Sequence, residues 1–406
     1  MRTHRNLQPE QLEQRCLLTT VGFAPVNLTA RDVQLEGQVT TIDLDFDGDL
    51  DVVSGGHSDD EDTRLLLNNG DGQPFEYVYV GSKPTALRTI PVDMDNDGDY
   101  DLFDGLAWRE NLGDLQFSEE HTRILDGNGW YTNGRPVDID ADGDLDLVIE
   151  TVYSTVLEPR NSRFGWLENK GKLNWLNDSE LLSQNFHEIA RNARAFDYVD
   201  IDQDGFKDLV WAHDQIFWYR HLDGKGTFAA GQLLRENTVQ ATYRAVQYSD
   251  MNGDGRVDIV VSDERVTPHW GNDQLGWYPN LGADGFGDLV VIAGHDPRSG
   301  DSSTNTGALA VGDIDGDGDS DIATIFYYGL NHNFVYWLEN DGTGSFTHHQ
   351  VANIHYLRWR AANLEIVDLN GDGDMDIIGA STSGRSIRSE VYFEQRVMGD
   401  ANGDGR

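Results

Sequence analysis

The sequence predicts an all-β protein, a seven-bladed β-propeller of four-stranded blades, on three observations. A motif of alternating aspartates recurs seven times in 406 residues, beginning at Asp43, Asp93, Asp138, Asp200, Asp250, Asp313 and Asp368. The spacings are 50, 45, 62, 50, 63 and 55 residues, enough for one compact unit each. Within each unit, period-two alternation, β-branched and aromatic runs and glycine turns indicate four short strands and almost no helix.

The units follow in order. A Phe-led segment, GFAPVNLTA (Gly22 to Ala30), precedes the first motif and has no unit of its own. Unit one reads DLDFDGDLDVV and ends in a strand led by Phe75. Unit two carries DMDNDGDYDLF, AWRENLG and Phe117; unit three carries DIDADGDLDLV and GWLENKG. Unit four has DIDQDGFKDLV, FWYRHLDG and Phe228, and unit five DMNGDGRVDIV, GWYPNLG and Phe286. Unit six has DIDGDGDSDIA, VYWLENDG and Phe346. Unit seven has DLNGDGDMDII and VYFEQ but no Phe-led outer strand. The orphan at Phe23 supplies it, so the ring is expected to close by pairing an N-terminal strand with 391–395, leaving no open sheet edge.

Composition excludes several function classes. A formal net charge of −41 argues against nucleic acid and anionic membrane surfaces, which need a basic partner. No apolar run reaches the roughly 18–20 residues of a membrane span. A single cysteine, Cys16, excludes an intrachain disulfide and a cysteine zinc cluster.

Each motif has the register D-x-[DN]-x-D-G-x-x-D, with oxygen side chains at positions 1, 3, 5 and 9 and glycine at 6. That pattern matches the opening of an EF-hand-type calcium loop, in which glycine makes the sharp turn and position 7 offers its carbonyl. Hard oxygen donors without His or Cys select calcium over zinc or copper, and magnesium is disfavoured because it demands strict octahedral geometry and keeps its waters. The candidate metal residues are Asp43, Asp45, Asp47, Asp49 and Asp51; Asp93, Asp95, Asp97, Asp99 and Asp101; Asp138, Asp140, Asp142, Asp144 and Asp146. They continue with Asp200, Asp202, Asp204 and Asp208; Asp250, Asn252, Asp254 and Asp258; Asp313, Asp315, Asp317, Asp319 and Asp321; Asp368, Asn370, Asp372, Asp374 and Asp376. Position 7 tolerates Phe206 and Arg256, whereas positions 3, 5 and 9 keep carboxylate or amide. General acidity would not spare one position so selectively. The alternative, that Asp-Gly pairs merely make hairpin turns, explains the glycine but not four oxygen ligands. About seven Ca²⁺ ions are therefore expected, bringing 14 positive charges against −41.

These loops, flanked by DLV and by WLEN-like segments, resemble the FG-GAP/VCBS repeats of integrin α-subunit propellers and of many bacterial surface proteins. The resemblance covers about residues 22–397. It implies a calcium-binding adhesion or ligand-binding module, extracellular or on the cell surface, with a polysaccharide or surface-protein partner. Residues 1–20 contain LEQRCLL (Leu12 to Leu18), similar to an N-terminal signature of exported bacterial repeat proteins, the alternative being a disordered tail. The propeller is bounded at 21–397. Residues 398–406, MGDANGDGR, resemble the opening of a dockerin calcium loop with Asp400, Asn402 and Asp404, implying a cohesin-like partner; a leftover repeat fragment is the alternative.

The family arrangement puts the calcium turns on one rim and implies that a partner engages the other face. Candidate ligand residues there are Arg88, Arg135, Arg194, Arg244 and Arg360, with Trp130 and Trp359 for stacking on sugar rings. The competing role for each arginine is to pair with a neighbouring blade's carboxylate. Some propellers with these repeats resemble sugar-eliminating or dehydrating enzymes. His57, His213, His295 and His332 are the acid–base candidates for that alternative, although no catalytic motif accompanies them.

Overall fold

A computed structural model describes residues 21–397 except 26–27, 29–37, 56–61, 71–72, 83–88, 106, 120–121, 124–129, 156–157, 170–185, 192–194, 213–214, 236–240, 266–273, 294–303, 329–331, 356–360 and 382–389. Seven antiparallel sheets of four strands each follow one another along the chain, and the described residues contain one short 3₁₀ turn, Gly282–Asp284, as their only helix. Six sheets use four consecutive strands; the first, for example, runs Val39–Ile42, Asp51–Ser54, Asp62–Leu67 and Glu76–Ser82. The seventh takes Ala361–Val367, Asp376–Ser381 and Glu390–Val397 from the C-terminal side and Val21–Pro25 from the N-terminal side. Phe23 pairs with Gln395 and Pro25 with Phe393, so the ring closes as expected.

First strands of neighbouring blades pack against one another, which places them innermost. Where blade seven meets blade one, Asn363 imitates a ladder partner. Its Oδ1 accepts from Val39 N–H at 2.9 Å, and its Nδ2 donates to the Val39 carbonyl at 2.7 Å. Glu365 Oε2 accepts from both Thr41 N–H (3.0 Å) and Thr41 Oγ1 (2.8 Å) across the same seam.

Strand alternation sends one face of each sheet to each neighbouring blade, so the apolar core is divided. Seven buried clusters result, one per interface between adjacent blades. Between blades six and seven, Ile325, Val335 and Trp337 meet Leu364, Ile377 and Phe393, and Phe23 packs its ring edge onto Trp337 at 6.3 Å. Every aspartate loop joins the first strand of its blade to the second, so all seven lie on one rim.

Candidate metal centres

Each loop is built around its ninth residue. Asp51, Asp101, Asp146, Asp208, Asp258, Asp321 and Asp376 open the second strands and are almost completely buried. In all seven, Oδ2 accepts from the backbone N–H of position 2, at 2.8 to 3.2 Å. Oδ1 accepts from a backbone N–H at the end of the third strand, at 2.7 to 2.8 Å. Position 2 itself (Leu44, Met94, Ile139, Ile201, Met251, Ile314, Leu369) is an apolar plug driven into the core. The loop is thereby pinned from below by an anchor and a plug, two parts that the reading of position 9 as a metal ligand alone did not contain.

The upper part is held by its own carboxylates. Position 1 accepts from the position 6 glycine N–H in every loop, as in Gly48 N–H to Asp43 Oδ2 at 3.1 Å and Gly318 N–H to Asp313 Oδ2 at 3.0 Å. Position 5 accepts from the position 7 N–H in every loop, as in Phe206 N–H to Asp204 Oδ1 at 3.0 Å. Glycine at position 6 has positive φ, +100° at Gly48, as expected. Position 4 is left-handed as well, at Phe46 (+62°), Asn96 (+66°), Ala141 (+58°) and Gln203 (+57°), a requirement the sequence reading missed. Each non-glycine residue there costs about 1–2 kcal/mol, strain that the loop's hydrogen bonds maintain.

Carboxylate oxygens of positions 1, 3 and 9 converge within 4.8 Å in five loops: Asp43–Asp45–Asp51, Asp93–Asp95–Asp101, Asp138–Asp140–Asp146, Asp200–Asp202–Asp208 and Asp313–Asp315–Asp321. In the fifth and seventh loops position 3 is Asn252 or Asn370. Two oxygens on opposite sides of a calcium ion at about 2.4 Å stand about 4.8 Å apart, so the spacing suits one ion per loop. Oxygens without a partner are compatible with a cation there. Asp43 Oδ1, Asp138 Oδ1, Asp140 Oδ1 and Asp202 Oδ1 are buried without any hydrogen-bond donor. A buried carboxylate oxygen left bare is costly unless a cation meets it.

Burial raises the carboxyl pKa of the ninth-position residues, to about 6 for Asp51, Asp208, Asp258 and Asp321 and about 7 for Asp101, Asp146 and Asp376, against the two backbone N–H bonds that lower it. Position 3 carboxyls at Asp45, Asp95, Asp140 and Asp315 are also raised, first by burial and then by the position 5 carboxylate. Such an array is short of positive charge. Positions 5 and 7 contribute no carboxylate to the five convergent sets. At position 7 the side chain instead turns toward the turn after the third strand. Asp49 and Asp319 lie over Gly70 and Gly342, leaving no room for a β-carbon there, and Phe206 covers Gly224 in the same way.

Third strands end in a residue the sequence showed only as the close of an aromatic segment. Asn111, Asn169, Asn280 and Asn340 donate Nδ2 to the position 8 carbonyl of their own loop at 3.0 to 3.3 Å. Asn68, Asn280 and Asn340 also donate to the position 2 carbonyl of the preceding blade's loop, at Leu369, Ile201 and Met251. In blade seven Gln395 takes this part with its amide oriented so that the nitrogen, not the oxygen, faces the Met375 and Ile314 carbonyls, at 2.7 and 3.0 Å. In blade four His221 substitutes: Nδ1 meets the Lys207 carbonyl at 3.1 Å, and Nε2 accepts from Gly226 N–H at 3.0 Å.

Of the candidate ligand residues, Arg135 is described in full. Its Nη1 pairs with Asp197 Oδ1 of the next blade at 2.5 Å, the inter-blade role that competed with ligand binding. Trp130 and Arg244 lie in strands Trp130–Val137 and Ala241–Ser249, and His332 opens His332–Asn340. Arg88, Arg194, Arg360, Trp359, His57, His213 and His295 lie outside the described residues, as do 1–20 and 398–406. No helix among the described residues is long and apolar enough to cross a membrane.

Comparison with known proteins agrees with this geometry. The FG-GAP-like repeat family matches residues 43–103, 200–261, 250–324 and 313–379, together more than half of the chain. A protein of Plasmodium falciparum (isolate 3D7) named T-cell immunomodulatory protein homolog is 27% identical over 250 residues, which is 57% of this chain and 30% of that protein. The chain therefore spans less than a third of that relative's length. The solved structure of BBS1N in complex with ARL6DN superposes with a TM-score of 0.53 at 10% identity, covering 94% of this chain and 98% of that one, and shares the fold. An Agrocybe aegerita lectin superposes with a TM-score of 0.48 at 18% identity, covering 88% of each chain.

Proposed function

Since the chain belongs to the FG-GAP-like repeat family, we propose that it is a calcium-stabilised propeller serving as an extracellular or cell-surface adhesion and ligand-binding module. One observation carries the calcium part: carboxylates at positions 1, 3 and 9 converge within 4.8 Å, with bare buried oxygens among them. The positions 1, 3, 5 and 9 side chains and the position 7 carbonyl would hold each ion. Bound calcium supplies the positive charge that the buried carboxylates lack and so converts binding free energy into folding free energy. Extracellular modules of this kind bind at roughly 10⁻⁴–10⁻³ M, which suits an exported protein.

The ligand face is the rim opposite the loops, with Arg88, Arg194, Arg244, Arg360, Trp130 and Trp359 as its candidate contacts. A carbohydrate or surface protein is the partner class, favoured by aromatic and guanidinium groups set in a strongly acidic chain. Residues 398–406 are assigned to a dockerin-like loop for a cohesin-like partner, and 1–20 to export. The test is a chelator melt followed by a glycan array with and without calcium. The unfolding temperature should fall in chelator and recover with calcium. An unchanged melt in excess chelator sinks the calcium reading, and an array silent in both conditions sinks the glycan reading.

A further inference from the structure

The seven loops do not carry the same charge. Loop two gathers Asp93, Asp95, Asp97, Asp99 and Asp101, and Glu110, just past the third strand Ala107–Arg109, adds a sixth carboxylate, within electrostatic reach of Asp95. Glu168 and Glu339 hold the same position beside Asp140 and Asp315. In blade four that position is Arg220. Its Nε pairs with Asp202 Oδ2 and its Nη2 lies 3.1 Å from Asp204 Oδ2. The guanidinium thus holds the outer oxygens of positions 3 and 5, while Asp202 Oδ1 stays buried and without a donor on the inner side. Blade five has a second guanidinium, at position 7. Arg256 Nη2 lies 2.6 Å from Asp254 Oδ2, and its Nε donates to the Asn280 carbonyl at 2.6 Å. That loop has only three carboxylates, Asp250, Asp254 and Asp258, because position 3 is Asn252.

We propose that Arg220 and Arg256 are tethered counter-cations that divide the ring into two classes of metal loop. Loops four and five are adjacent, partly neutralised from within, and hold their shape without an ion; they bind a divalent cation weakly. Loops one, two, three and six, which bring three carboxylates together and have no arginine at the positions of Arg220 and Arg256, are held together by the ion itself and bind it tightly. The physical reason is that guanidinium and metal answer the same carboxylate repulsion, so an ion pair to a cation tethered to the chain removes part of the drive for the ion. The inference rests on the calcium reading above and extends it from an ion count to an order of filling.

The experiment is calorimetric titration of the chelator-stripped whole chain with calcium, supported by thermal melts in chelator. Wild type should show two classes of site, with the weaker pair lost first on dilution of calcium. Arg220→Glu installs the residue that blades two, three and six carry, and should strengthen one weak site about tenfold while lowering the melt in chelator more than in calcium. Arg220→Gln removes the charge with little change of length and should act in the same direction more weakly, which keeps the test alive if the Glu variant does not fold. Glu110→Arg, made on exposed Glu110 in loop two, should weaken one tight site by a similar factor. Seven equal sites in wild type, or titrations of the Arg220 and Glu110 variants that overlay it, overturn this inference and leave the calcium reading standing. No calcium uptake at all overturns both.

Discussion

Replacing Asn340 by alanine tests the idea that third-strand amides, as well as the aspartates, hold the loops. Asn340 is 1% exposed and its side chain serves three backbone groups. Nδ2 donates to the Met251 carbonyl of blade five at 3.0 Å and to the Ser320 carbonyl at 3.1 Å, and Oδ1 accepts from Gly344 N–H at 3.2 Å. Three bonds from this buried side chain, one of them fully buried, at about 1 kcal/mol each, with a small cavity besides, give a loss of about 3–4 kcal/mol. For a chain of this size that is roughly a 5 °C fall in unfolding temperature. Asn340→Asp should cost more, because it aims a carboxylate at two carbonyl oxygens beside buried Asp321. His221→Asn in blade four, by contrast, installs the amide used elsewhere, whose oxygen is expected to replace Nε2 as acceptor for Gly226 N–H. It gives up the ring contacts with Phe228 at 4.6 Å and Phe206 at 5.7 Å, together about 1 kcal/mol. The assay is thermal and denaturant unfolding in saturating calcium, followed by near-ultraviolet signal. A loss below about 1 kcal/mol for Asn340→Ala, or equal losses for Asn340→Ala and His221→Asn, would falsify the clamp.

Three further outcomes are expected. Burial lowers the His221 pKa below its ordinary 6.5, and its Nε2 accepts a hydrogen bond that only the neutral ring permits. The stability from this depressed pKa is therefore present above pH 6.5 and lost as pH falls toward the folded value, and His221→Asn should remove that component from a stability–pH profile. Ala141 is exposed with φ +58°, so Ala141→Gly should stabilise by about 0.5 kcal/mol, strain relief exceeding the entropy of a freer unfolded chain; a clear loss in denaturant melts contradicts the left-handed position 4. Arg135→Ala should lower stability by about 1 kcal/mol through the lost Asp197 pair, whose two side chains are about one-third exposed; a stability unchanged while ligand capture disappears would return Arg135 to the binding face.

What was legible in the sequence is what repeats locally. The aspartate register and the turn glycine fall within nine residues, so seven copies expose them even without an alignment. The closure at Phe23 was legible because a strand was missing at one end and spare at the other. The clamp was not, since Asn340 answers Met251 from 89 residues away and Asn68 answers Leu369 from 301. Arg135 shows the same limit: its sequence position fits both a ligand ring and an inter-blade pair, and the pair with Asp197, 62 residues away, is visible only in the fold. Position 4 hid for a different reason. Gly253, Gly316, Gly371 and Asn96 do favour a left-handed backbone at that position, but Phe46, Ala141 and Gln203 mask the pattern, and there the surrounding hydrogen bonds impose it.

These long-range amides also bear on how the ring unfolds. In a linear array each repeat touches its neighbours and can open from an end. Here Asn68 of blade one bonds to the loop of blade seven, Asn280 of blade five to the loop of blade four, and Asn340 of blade six to the loop of blade five. Gln395 of blade seven reaches the loop of blade six in the same sense. The same residues present their backbone N–H to the buried aspartate of their own loop. A loop that loosens therefore releases two anchors at once, its own aspartate and the amide of the next blade. Since Val21–Pro25 pairs with Glu390–Val397, blade seven joins strands from both ends of the propeller, and the ring has no terminal blade from which opening could start. At these four interfaces loss of order at one loop is thus passed to its neighbour through a named hydrogen bond, and that part of the rim acts as a chain of linked clasps.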